Sequence, residues 1–81
     1  MRRDLAAAYY ALGVSYSTGT AGVPLDLVEA HKWFNIAAGS GGEASRRAAA
    51  ARAEIAGVMR PDDIVTAQRC ARAWREAEGV R

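Results

Sequence analysis

Three breaks constrain what this chain can fold into. They are Ser17-Thr18-Gly19-Thr20-Ala21-Gly22, Gly39-Ser40-Gly41-Gly42 and Met59-Arg60-Pro61. Glycine admits left-handed backbone that other residues resist, and proline cannot sit inside a helix, so ordered segments must end at each break. What remains is four short stretches in 81 residues. They read as helices: nineteen alanines stand against only twelve Val, Ile and Thr, and alanine has the best helix propensity while β-branched side chains suit strands. No apolar run approaches the ~20 residues that a membrane span requires. At this size the core is thin, and the expectation is one all-α domain over residues 1–81.

The first helix is expected from about Arg3 to Ser17, with Asp4 in its first turn facing the positive end of the dipole. Leu5, Ala8, Leu12 and Tyr16 fall on one stripe, with Tyr9 at its edge, which predicts the face turned to the second helix. That second helix has clear start signals. Pro24 precedes it, Asp26 and Glu29 stand at capping-box spacing, and Leu25 is placed to staple the entry against Ala30. Leu27, Ala30, His31, Phe34, Ala37 and Ala38 share its apolar face, with Trp33 flanking and Ile36 pointing away. A third helix over about Glu43 to Val58 shows Ala44, Ala48, Ala51, Ile55 and Val58, small residues that allow a close neighbour. Pro61 opens the fourth at its favoured first position, Asp62 and Asp63 match the dipole, and Ile64, Ala67, Ala71 and Trp74 face inward. Short connections imply antiparallel neighbours, hence two stacked hairpins.

Between Ala8 and Ala44 the residues follow a recognisable order. Ala8, Leu12-Gly13 and Tyr16 lead to a turn holding Gly19, Gly22-Val23 and Asp26; Ala30, Trp33-Phe34, Ala37-Ala38, Gly41 and Ala44 complete the unit. This stretch resembles a Sel1-like repeat, a relative of the tetratricopeptide class, and its span of thirty-six residues is the repeat length of that class. The turn Gly19-Thr20-Ala21-Gly22-Val23 has one residue more than the usual Gly-x-Gly-Val. The resemblance implies antiparallel helical hairpins forming a fragment of a right-handed α-solenoid of about four helices. Residues 4–42 would be the repeat hairpin and 43–78 a diverged C-terminal capping hairpin lacking the Leu-Gly, Tyr and Gly-Val landmarks. It further implies a non-catalytic protein–protein interaction module. Repeats of this kind bury their faces on neighbours and usually need about three units, so barely two predicts docking on a protein or peptide, self-association into a homo-oligomer, or a place at the end of a longer repeat array.

Tyr10, Val14 and Ser17 lie opposite the Leu12 stripe. In a solenoid of this class they line the concave side where partners dock; equally, Tyr10 and Val14 pack on an adjacent hairpin, the third helix being the nearest. Gly13 lets the second helix cross close to its backbone, near Ala30 or Ala37, which would offset the ~1 kcal/mol that glycine costs inside a helix.

Chemistry is sparse. His31 is the single histidine, on an apolar face with Glu29 and Asn35 nearby but no second histidine or cysteine, so it reads as packed rather than as a metal ligand or acid–base group. Cys70 lies between Arg69 and Arg72 with no histidine at a helical offset, and reads as a half-buried small hydrophobe. Alone, it excludes an internal disulfide and fits a reducing compartment. Asp62 and Asp63 point ~100° apart on a helix and cannot share a proton. Neither an enzyme nor a cofactor is expected. The start, Met1-Arg2-Arg3-Asp4-Leu5-Ala6, lacks the greasy run of a leader, which places the protein in the cytoplasm. From Glu43 onward eight arginines alternate with six acids, a solvated face more than a track for nucleic acid, which is disfavoured. The alternative reading takes the Trp-bearing cationic fourth helix as a binder of anionic surfaces, nucleic acid or lipid headgroups, and a third takes the chain as a structural homodimer.

Overall fold

The computed structural model describes residues 5–79. Those residues form four helices and no strand: α1 (Leu5–Thr18), α2 (Leu27–Ala38), α3 (Glu43–Ala56) and α4 (Pro61–Gly79). The all-α class therefore holds, and the first three helices end at or shortly before the three breaks. The expected start of α1 at Arg3 and the role given to Asp4 lie outside the described residues.

Local chemistry accounts for the boundaries. Asp26 caps α2 with extended backbone, and its carboxylate accepts the Glu29 amide at 3.1 Å. The reciprocal half of the box does not form. The Asp26 amide donates to the Tyr16 carbonyl at 2.9 Å, tying α2 to the last turn of α1, while the Glu29 carboxylate accepts the Trp33 indole N–H and pairs with Lys32. Leu25 is 63% exposed, too open for a staple. In the long turn Gly19, Ala21 and Gly22 all have positive φ (71°, 57° and 82°), so the residue beyond the family's usual pattern places an alanine in left-handed backbone. Pro61 is the first residue of α4, with Asp62 and Asp63 in its first turn.

The arrangement centres on α2, which packs against α1, α3 and α4; α1 also packs on α3. Ala30, Phe34, Ala37 and Ala48 form the core cluster, flanked by Tyr9, Tyr10, Val14, Tyr16, Ala38, Ala51 and Ile55. Three of the four central residues are alanines, which keeps the helix backbones close enough for one phenylalanine to fill the space between them. The Cα radius of gyration is 12.0 Å, about what a compact chain of this length gives.

Several expectations change here. The face of α1 is turned by roughly a quarter of a revolution: Ala6 and Gly13 are buried, Tyr9, Tyr10, Tyr16 and Ser17 are half-buried, while Leu5 is 51% exposed, Leu12 38% exposed and Ala8 exposed. Apolar bulk alone picks Leu12, but the smallest residues permit the closest approach of another helix, and they take the centre of the contact. What fills the space over Gly13 is the Phe34 ring: a Cβ at Gly13 would overlap its edge carbons. Ala30 and Ala37, proposed for that crossing, lie in the same core cluster but are not the atoms it would meet. Among the described residues α4 packs mainly on α2, and its contact with α3 is slight at most. Ile36, read from the sequence as pointing away, is buried at 2% exposure and lines one cleft with Trp74. Val58, assigned to the α3 stripe, lies beyond the helix end and is 76% exposed.

Candidate docking site

An aromatic cluster joins three helices. Tyr9 of α1 stacks on Trp33 of α2 (centroids 5.7 Å apart, planes 22°), and Trp74 of α4 meets both edge-on, at 5.2 Å from Tyr9 and 5.6 Å from Trp33. Each such pair adds ~0.5–1.5 kcal/mol beyond its buried area, so the cluster is what seats α4. Trp33 is held further by its indole N–H to Glu29 (3.1 Å), and the Lys32 ammonium lies 4.5 Å from its ring centroid while pairing with Glu29 at 3.0 Å.

Beside this cluster, where α1 begins and α2 and α4 end, lies an open cleft of about 390 Å³. Leu5, Tyr9, Ile36 and Trp74 make its apolar wall, and Ser40 and Arg75 contribute polar groups at its edge. The α2 terminus beneath it is internally satisfied: the Gly39 amide donates to the Asn35 and Ile36 carbonyls, and the Ser40 hydroxyl to the Ile36 carbonyl at 2.7 Å. The Arg75 guanidinium reaches the Asn35 side-chain oxygen at 3.4 Å, a loose hold that leaves it exposed. A cleft with an apolar wall and few polar groups suits a bulky apolar side chain with polar neighbours.

The residues expected to line a groove lie elsewhere. The Tyr10 ring is 5.6 Å from Phe34, Val14 packs on the core cluster, and the half-buried Ser17 donates its hydroxyl to the Val14 carbonyl at 2.9 Å. Tyr10 thus packs on α2 of its own hairpin and Val14 on the core cluster, both half-buried. The motif residues divide by function in the fold. Gly13, Ala30, Phe34 and Ala37 are buried, Tyr16, Trp33, Ala38 and Ala44 half-buried, Gly19, Gly22 and Gly41 hold turns with positive φ, Asp26 caps, and Ala8 and Leu12 face solvent. What the sequence missed is the convergence of Tyr9, Ile36 and Trp74. Their spacings were visible; that α4 crosses α2 on the Ile36 side was not.

His31 is 2% exposed and its Nδ1 has no hydrogen-bond partner. Burial, and secondarily the positive charge of Arg52 on α3, hold its pKa below the ordinary value, so it is neutral at pH 7. Cys70 is exposed rather than half-buried. No group of three or more His, Cys, Asp or Glu side chains able to hold a metal ion occurs among the described residues, and no helix there is long and apolar enough to cross a membrane. No family model matches the chain, and no curated protein or solved structure matches it.

Proposed function

We propose that the protein is a non-catalytic interaction module that captures a bulky apolar side chain of a protein or peptide partner in the cleft between α1, α2 and α4. The observation that carries this reading is the cleft itself: an apolar wall of Leu5, Tyr9, Ile36 and Trp74 left open to solvent beside Ser40 and Arg75. Exposed apolar concavities of this kind mark binding sites more often than other surface does. The resemblance of residues 8–44 to a Sel1-like repeat supports the same role, with the C-terminal helices as a diverged cap.

Selection of peptides from a random displayed library, followed by titration against the purified protein, tests it. The expected ligands carry an aromatic or large aliphatic anchor, alter Trp fluorescence on binding, and lose affinity at least tenfold against Ser40→Arg, which fills the cleft from an exposed position. Ligands that bind Ser40→Arg as tightly as the parent would sink the reading. The anionic-surface alternative has Arg69, Arg72 and Arg75 exposed on α4 in its favour, yet Trp74 is engaged with Tyr9 and Trp33 and so is poorly placed to insert anywhere. Salt separates the two, since binding to an anionic surface collapses as salt rises and a side chain in a cleft is little affected.

A further inference from the structure

We infer that the solvent-facing side of α1 is a self-association surface, on which a second copy of this chain packs its own α1 antiparallel. The inference does not rest on the cleft reading, although Leu5 lies at the border of both surfaces. Among the four helices α1 alone carries no charged residue in its described length, Leu5–Thr18, and it is apolar or small around its circumference. A helix of that kind is ordinarily buried on all sides. Here α2 and α3 cover one side, and the other presents Leu5, Ala8 and Leu12 to solvent.

The two exposed leucines, Leu5 and Leu12, stand seven residues apart, with the small Ala8 between them and the half-buried Ser15 one turn beyond. A seven-residue repeat is the period by which two helices keep one seam in contact, with large side chains seated in gaps of the facing helix. Neither leucine belongs to the internal core; the contacts of α1 within the chain are made by Ala6, Tyr9, Tyr10, Gly13, Val14 and Tyr16.

The order of large and small residues names the occupant. Antiparallel pairing about a two-fold axis near position 10 sets Leu5 opposite Ser15 of the second copy and Leu12 opposite its Ala8. Each bulky side chain then meets a small one, and by symmetry all four such sites fill at once. The seam buries no charge, so no desolvation of an ion opposes it. A partner helix bearing Arg or Glu would lose that advantage, and α3 and α4 both carry them. Four helical turns bury a modest area, so the dissociation constant should be on the order of 10–100 μM.

Sedimentation equilibrium of the full chain between roughly 1 μM and 1 mM tests this. A monomer–dimer equilibrium is expected. Leu12→Lys should weaken it about 100-fold, because each copy places a charge in the seam. Val58→Lys, on a solvent-facing residue away from α1, should leave it within twofold. Independently of how Leu12→Lys folds, oxidation of a mixture of Leu12→Cys and Ala8→Cys chains, each also Cys70→Ser, should yield several-fold more disulfide dimer than either chain alone. A strictly monomeric parent, undiminished association of a folded Leu12→Lys, or equal cross-linking in mixed and separate chains would each overturn the inference.

Discussion

The two halves of the chain join helices of 14 and 12 residues across an eight-residue loop and helices of 14 and 19 residues across a four-residue loop, and they pack in different ways. In the first half α1 and α2 close on each other: Phe34 lies over Gly13, Tyr10 lies on Phe34, and the Asp26 amide bonds to Tyr16. In the second half α3 and α4 make slight contact at most, and each uses α2 as its main partner. The loop between α3 and α4 is short enough for a hairpin, so loop length is not what decides closure. A matched pair of one residue without a side chain and one large ring supplies the close contact in the first half. The second half offers no counterpart: α3 presents Ala48 to the core, and α4 gives Ala67, Ala71 and Trp74, whose aromatic partners are on α1 and α2.

This contrast can be broken from its strong side first. Phe34→Ala should cost ~3–5 kcal/mol, a large part of the stability of so small a domain, and chemical denaturation would measure it. Gly13→Val should cost about 3 kcal/mol or more, because the new branch meets a ring held by core neighbours; an unchanged melting curve would refute the close crossing. Ile36→Ala, at ~2–4 kcal/mol, should act on the other half. Hydrogen exchange would show faster amides across α4 while the central amides of α1 and α2 stay protected, and uniform acceleration would mean that the four helices are one cooperative unit.

Acid should loosen the same molecule at the α2–α3 seam. The unfolded imidazole of His31 protonates near 6.5, whereas burial and Arg52 keep the folded one neutral to lower pH. Between those values the unfolded chain binds more protons, so His31 contributes fully above about pH 6.5 and its contribution is lost as pH falls below it. Stability measured from pH 7.5 to 4.5 should decline more steeply for the parent than for His31→Gln. The smallest effect is expected in the turn: Ala21→Gly should stabilise by up to ~1 kcal/mol, since glycine takes the positive φ freely and offsets part of that gain through its own chain entropy.

Much of this fold was legible in the residues. The helix limits at Asp26, Gly39 and Pro61, the inward face of α4 and, apart from Ile36, that of α2 follow from capping, backbone freedom and periodicity, which act within a few residues. The face of α1 was not, because a wheel weighs apolar bulk and so favours Leu5 and Leu12, whereas the contact is centred on Ala6 and Gly13. The cleft was illegible for another reason: Tyr9, Ile36 and Trp74 lie far apart in the chain, and only the path of α4 brings them together.

Sequence alone determined the number of helices, where three of them begin and that their backbones could approach closely, because glycine, proline, alanine and a capping aspartate each act on the backbone beside them. Tertiary structure decided which side of α1 is covered and which helix α4 leans on. Those choices turn on how one ring fits over one glycine and how three aromatic side chains meet, and shape complementarity of that kind exists only once the helices are side by side.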